Sequence, residues 1–373
     1  MKIVTTVGTS LVTNIINPLR NKCNLIQSEK EALENFSKLF KKDYREKESF
    51  SKEFNALKDF IKENITFDEK TSAEIKSLIA IQKNEKFKNF SIDIELIATD
   101  SILSPLCSEI LKELIEKNSN YRVNFDEKNI IKDLQVADYK RYKKGLINLL
   151  NRLNQIGSNG EYFGDMVLNV TGGFKGVIPY MTIFGQVNKI PIFYIFEFTD
   201  ALIEIPQIPI SIDEKLFDKY WKEFCIIDAN LLLNKSELNY QYLKKCKNLL
   251  EIEEDIVALN PLGKILWDKY KRENFIFYTT DDIYNEIKKQ PHIIDILKNK
   301  FQWNYQNKTE LKNGHYVYDN GDNPYRIFYF VNDNNFYIYK TFEDHDKYIK
   351  YLNEEKKRII KDEFLKQVEL FKI

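Results

Sequence analysis

Asp165-Met-Val-Leu-Asn-Val-Thr-Gly-Gly-Phe-Lys-Gly176 is the stretch whose reading decides the fold. Met166 to Val170 is an apolar run of strand length. It passes directly into Thr171-Gly-Gly-Phe-Lys175 and then into an apolar segment that reads as a helix to about Val187. A buried strand that turns through glycines into a helix is the repeating unit of a parallel α/β sheet. The same order stands at the N-terminus, where the β-branched run Lys2-Ile-Val-Thr-Thr-Val7 ends on Gly8-Thr9-Ser10. Glycines after strand ends are where such sheets bind ligands.

Between these stretches, residues 28–64 are charged with apolar residues at helical spacing, which predicts one or two surface helices. Ile92 to Ala98 reads as a strand, followed by Thr99-Asp100-Ser101 and a helix through Leu114. Tyr121 to Phe125 and Ile190 to Phe196 are further strands, and 138–154 is an amphipathic helix. Ile205-Pro-Gln-Ile-Pro-Ile210 breaks the alternation and marks a boundary. Beyond it, helices at 213–227 and 236–248, a hairpin at Leu249–Leu259 and a helix opening on Pro261 suit a winged helix-turn-helix. A capped helix at Thr280 and aromatic strands at Tyr316–Tyr318, Tyr325–Val331 and Asn335–Tyr339 then precede a charged helix from His345. The expected architecture is an α/β Rossmann-like domain (1–205), a winged helix-turn-helix (206–274) and a small α+β domain (275–373).

The composition agrees with that many domains, since 373 residues at ~150 per domain predict two or three. Hydrophobic residues make up 43%, enough to build cores. Basic and acidic residues balance at 56 each, so overall charge points to neither nucleic acid nor membrane, and a basic site has to be local. Cys23, Cys107, Cys225 and Cys246 form no C-x-x-C pair, which speaks for reduced thiols and against zinc. With no signal-peptide pattern and no apolar run of the ~20 residues that span a bilayer, the expected location is the cytoplasm.

In the first domain, Gly8, Thr9 and Ser10 are expected to present backbone N–H groups and hydroxyls to a phosphate. Thr171, Gly172 and Gly173 permit close backbone approach, and Lys175 adds a cation where a helix N-terminus already favours anions. Thr99, Asp100 and Ser101 form a third loop at the same sheet edge. The plainer alternatives are a tight strand-to-helix turn and a solvated lysine.

Thr6-Val-Gly-Thr-Ser10 and Asn169-Val-Thr-Gly-Gly-Phe-Lys175 resemble the two signature loops of the CRISPR-associated Rossmann-fold (CARF) sensor family. The resemblance implies a homodimer that binds cyclic oligoadenylate, most often cyclic tetra-adenylate, across its two-fold axis; a symmetric ring matches an isologous interface. In some members the matching serine and lysine, here Ser10 and Lys175, also help to cut the ring.

The chain lacks the Arg-x4–6-His motif of a common effector ribonuclease, because none of His292, His315 and His345 has an arginine at that upstream distance. Leu311 to Tyr318, Pro324-Tyr-Arg-Ile-Phe-Tyr-Phe-Val331 and Phe336 to Phe342 instead resemble the RelE family of mRNA interferases. With the winged segment, the order resembles the CRISPR-associated mRNA interferases. What this implies is metal-independent, cofactor-free cleavage of mRNA in the ribosomal A site, with docking to the ribosome and its stalk. By the same resemblance Arg326 is the phosphate clamp. Lys340 and His345 are the acid or further clamps, Lys308 and Lys312 are the basic residues before the middle strand, and Tyr348 or Tyr351 stacks on a base. A guanidinium suits bidentate phosphate contact. Tyr318 stands where many members have a second arginine.

The residues leave other readings open. Arg326 pairs with Asp319 or Asp322, or His345 is a solvated surface histidine. Two rival functions are a ligand-gated transcription regulator and a ring nuclease with an inert C-terminal domain. Against the first stands the acidic wing Glu251-Ile-Glu-Glu-Asp255, which phosphates repel.

Overall fold

The computed structural model describes residues 1–373 apart from 89, 136–137, 159–162, 197–198, 200, 210–212, 229–237, 239, 255, 320, 322, 333–334 and 355–361. The chain forms two compact units, Met1–Asp213 with Asn230–Leu266 and Glu214–Ala229 with Trp267–Ile373.

In the first unit, β1 (Lys2–Val7) leads through helices α1 (Ser10–Arg20), α2 (Gln27–Leu39), α3 (Ser51–Glu63) and α4 (Ala73–Lys83) to β2 (Asp93–Thr99). There follow α5 (Leu103–Asn118), β3 (Arg122–Asn124), the short β4 (Ile130–Ile131), α6 (Tyr139–Ser158), β5 (Met166–Asn169), α7 (Ile178–Val187), β6 (Ile192–Ile195) and β7 (Leu202–Ile205). The strand order is β3-β2-β1-β5-β6-β7, with β4 beside the end of β2. Every pairing is parallel except that of the edge strand β7 with β6.

Both faces of this sheet are covered. Ile3, Ile94 and Leu96 pack into one core with Leu11, Phe36, Leu57 and Ile75. Val4, Ile97 and Leu168 pack into the other with Leu149, Met181 and Phe184. Burial on two sides is why β5 reads as an apolar run rather than an alternation. The chain builds outward from β1 to β2 and β3, then returns to lay β5 on the opposite flank of β1. That reversal is a topological switch point, and the loops after β1 and β5 stand at it. Helices α1 and α4 and strand β7 are additions to the expected elements.

The chain then enters the second unit with α8 (Glu214–Asp228) and returns to the first with α9 (Tyr240–Cys246), β8 (Leu250–Glu253) and β9 (Ile256–Leu259). Helix α10 (Pro261–Glu273) is divided between the units at Leu266 and Trp267. The hairpin and the proline-started helix stand where the sequence places them, but residues 206–274 do not form a compact unit of their own. Parts of the expected helix at 236–248, and Asp255, lie outside the described residues. The acidic wing has a local explanation: Glu251 pairs with Lys143, and Glu253 lies 3.9 Å from Lys140, both lysines on α6.

In the second unit, Phe217 and Phe224 of α8 stack with Trp267 and Tyr270 of α10. Next come β10 (Ile276–Thr279), α11 (Asp281–Ile287), α12 (Pro291–Ile296), α13 (Gln302–Asn304), β11 (Thr309–Lys312), β12 (His315–Asp319), β13 (Arg326–Asn332), β14 (Asn335–Phe342), α14 (His345–Glu354), α15 (Asp362–Gln367) and β15 (Glu369–Lys372). They build a sheet of order β11-β12-β13-β14-β10-β15. The three expected aromatic strands are its centre and run antiparallel. Side chains alternate across it. Tyr318, Ile327, Tyr329 and Ile338 meet Ile293, Ile296 and Phe301 on one face, while Val317, Phe328 and Phe342 meet Tyr348 of α14 on the other. Thr280 caps α11 as expected, accepting from the Ile283 N–H at 3.5 Å. Strands β10, β11 and β15 are further additions.

Candidate functional sites

At the switch point the loops after β1 and β5 interlock. The Thr6 hydroxyl donates to the Gly172 carbonyl at 2.6 Å. Gly173 takes φ +92°, and a Cβ there would stand 2.6 Å from that of Thr6, so glycine is required on two counts. The donors expected to face a phosphate are engaged by the protein itself. The Gly8 N–H and the Ser10 hydroxyl both donate, at 2.9 Å each, to the two oxygens of Glu74 on α4. Glu74 is 1% exposed. Its carboxylate lies so close to Gly172 that a Cβ on that residue would approach Oε1 to 2.3 Å. The Thr171 hydroxyl is also turned inward, donating to Asn169 and accepting from the Ile195 N–H. Thr9 is half-buried at the α1 N-cap with no capping bond from its side chain, and Lys175 is exposed where the chain turns toward α7.

The third loop is structural rather than open. Thr99 and Ser101 bond to each other through their hydroxyls, and the Ser104 N–H donates to Ser101 at the start of α5. Asp100, 4% exposed, accepts from the Asp133 N–H and from Arg141 Nη2 at 3.1 Å. Arg141 also reaches Asp43 at 2.9 Å and Asp133 at 3.1 Å, so one guanidinium holds three carboxylates. Hydrogen bonds from Arg141 hold the Asp43 carboxyl below its ordinary range, whereas burial pushes that of Asp100 up.

In the second unit, a cleft of about 790 Å³ is lined by Lys308, Arg326 and His345 together with Glu310, Asp319 and Asn323. Three of the six residues singled out as a catalytic set thus share one opening. Lys308 and His345 are exposed, while Arg326 is only 8% exposed. Its Nη2 pairs with Asp319 at 2.8 Å, and its Nη1 donates to the carbonyls of Asn323 and Tyr325. The pairing alternative therefore holds for Asp319, and Asp322 lies outside the described residues. Lys312 sits beside this pair, 2.7 Å from Glu310 and 3.8 Å from Asp319.

Two expectations are corrected. Tyr348 is 2% exposed, with the Arg326 guanidinium 5.5 Å from its ring centre, so it supports the arginine and offers no open face to a base. Lys340 is directed to Glu286 on α11, at 2.9 Å, and does not line the cleft. Tyr351 packs on Phe328 and Phe342.

Residues 69–208 match the family model of a CRISPR-associated protein, Cas_APE2256. The matched family is CRISPR-associated. The matched span runs from the turn before α4 through β7, and it contains Glu74 and the Thr171–Lys175 loop. No curated protein matches the chain. Among the described residues no helix is long and apolar enough to cross a membrane, and no cluster of His, Cys, Asp or Glu is arranged to hold a metal ion.

Glu74 is the residue that sequence reasoning missed, whereas Asp319 was one of the two partners it offered for Arg326. Ser72 followed by Glu74 and apolar residues at 75, 78 and 81 signals a helix start, with an acid in its first turn. Nothing in that local pattern shows that the acid reaches Gly8, 66 positions away.

Proposed function

We propose that the first unit binds cyclic oligoadenylate, foremost cyclic tetra-adenylate, as a homodimer at the crevice between β1 and β5. When the ring is bound, the second unit cuts mRNA in the ribosomal A site, as an ancillary effector of type III CRISPR defence. The observation that carries this reading is the CRISPR-associated match over a segment whose Thr171–Lys175 loop stands at the sheet's switch point. The RelE-like hairpin and the cleft of Lys308, Arg326 and His345 support the second half.

The chemistry is transesterification. The ribose 2′-oxygen gives up its proton and attacks the adjacent phosphorus, and the 5′-oxygen leaves with a proton, yielding a 2′,3′-cyclic phosphate and a 5′-hydroxyl. Lys308 and Arg326 offset the charge that grows on the phosphate oxygens. His345, exposed at the cleft wall, exchanges the proton.

One observation favours a second reading, ring cleavage by the sensor with an inert C-terminal unit: both terminal nitrogens of Arg326 already have partners. One experiment separates the two. The protein is mixed with translating ribosomes, with and without cyclic tetra-adenylate, and mRNA ends and ring integrity are followed together. New mRNA ends only with the ring support the main reading. Ring loss without mRNA cleavage supports the second, and ligand-independent mRNA cleavage overturns gating.

A further inference from the structure

Within the first unit, the Glu74 carboxylate occupies the position that the loop chemistry suits to an anion. It receives the Gly8 N–H and the Ser10 hydroxyl, both at 2.9 Å, and lies against the backbone of Gly172. Ser10 opens α1, of 11 residues, and Glu74 is in the first turn of α4, also of 11, whose N-cap Ser72 bonds the Ile75 N–H. Two helix N-termini, each with partial positive charge, therefore face one carboxylate. Among the described residues no lysine or arginine is paired with Glu74. The two donors and the helix ends support a carboxylate at 1% exposure, where an unsupported charge is costly. These are the features that hold a phosphate oxygen, and here the protein's own side chain holds the place.

We infer that Glu74 is the specificity-determining residue of the sensor, an internal anion that an incoming phosphate has to displace. The inference rests on the proposed ligand site and adds how that site discriminates. A single phosphate gains little by exchanging with a carboxylate that already has both donors. A ring that places several phosphates and bases on the crevice at once draws on its other contacts to drive the exchange. Displacement also releases the first turn of α4 from the β1 loop, which gives ligand binding a moving part inside the matched segment. A ligand shifts a conformational equilibrium only through such a difference in contacts between states.

The test uses the full-length protein and two ligands, inorganic phosphate and cyclic tetra-adenylate. Glu74→Gln keeps the side-chain size and removes the charge. Calorimetric titration is expected to show phosphate affinity at least tenfold higher in Glu74→Gln than in the wild type, and a smaller gain for the ring. Equal or weaker phosphate binding by a folded Glu74→Gln overturns the inference. Because the phosphate arm needs no ring binding, a wild type that ignores cyclic tetra-adenylate defeats the proposed ligand while leaving this result to stand or fall separately. Should Glu74→Gln fail to fold, Glu74→Asp, which keeps the charge on a shorter stem, is expected to show the same direction of change. A crystal structure of the wild type soaked in phosphate decides the matter independently: Glu74 still bonded to Gly8 and Ser10, with phosphate bound elsewhere in the crevice, refutes displacement.

Discussion

Arg326 Nη2 lies 2.8 Å from Asp319 Oδ2, and the same carboxylate oxygen is 3.8 Å from Lys312 Nζ. The cation proposed to clamp a phosphate is thus already paired within the cleft. Removing one partner of a buried pair leaves an uncompensated charge, at a cost of about 3–5 kcal/mol. Asp319→Asn is expected to lose stability toward the low end of that range, since Asp319 is 16% exposed. Phosphate is expected to restore more stability to the variant than to the wild type, because it takes the vacated position. Urea unfolding with and without phosphate reads both effects; equal phosphate stabilisation of the two proteins counts against an anion site at Arg326.

Lys308 and His345 are exposed on the cleft wall, so truncating them removes little packing. Lys308→Ala and His345→Ala are expected to unfold within about 0.5 kcal/mol of the wild type. Ring-stimulated mRNA cleavage is expected to fall by about a hundredfold or more in His345→Ala if its imidazole moves the proton. Full cleavage by a folded His345→Ala removes that residue from the chemistry.

Lys340 pairs with Glu286 in a partly exposed contact away from the cleft. Lys340→Ala is expected to change stability by no more than about 1 kcal/mol and to leave cleavage unchanged. A large loss of activity in a stable variant returns Lys340 to the site.

Arg141 gathers Asp43, Asp100 and Asp133, and the two shifted carboxyls act with opposite signs. Asp43 is held below its ordinary value, so its contribution is present above the unfolded carboxylate range, near pH 3.9, and is lost as pH falls through its lower folded value. Asp100 is raised by burial, so its cost appears as pH rises from the ordinary to the raised folded value. Arg141→Ala removes the support of all three. Urea midpoints measured from pH 2 to 7 are expected to show its deficit greatest at neutral pH and narrowing in acid. A deficit independent of pH assigns the effect to packing instead.

Gly173 at φ +92° faces Thr6 with no room for a Cβ. Gly173→Ala is expected to cost about 1–3 kcal/mol from overpacking and backbone strain together. Unchanged thermal stability means that the interlocked loops relax freely.

Much of the fold was legible because it rests on local pattern. Two-sided burial wrote Met166–Val170 as an apolar run, Ile92–Ala98 alternates before running apolar, and the aromatic pattern around Tyr325–Val331 marked the centre of the second sheet. The short edge strands β7, β11 and β15 were less legible, since an edge strand buries less surface and leaves a weaker pattern. The winged segment illustrates a different limit: its elements stand as read, yet residues 206–274 divide between two units, because which core a helix joins depends on surfaces distant in sequence.

By itself the sequence determined where backbone can approach a ligand and where basic side chains are available: Gly8, Gly172, Gly173 and Lys175 in one unit, Lys308, Arg326 and His345 in the other. Residue type and local order suffice for that, since glycine permits conformations that a Cβ forbids and charge belongs to the side chain. Only the tertiary structure decided that Glu74 engages the Gly8 and Ser10 donors and that Asp319, rather than another carboxylate, pairs with Arg326. Hydrogen bonds and ion pairs act over a few ångströms, and folding, not sequence separation, brings Gly8 to Glu74. It likewise buries Tyr348 beneath Arg326 and turns Lys340 toward Glu286.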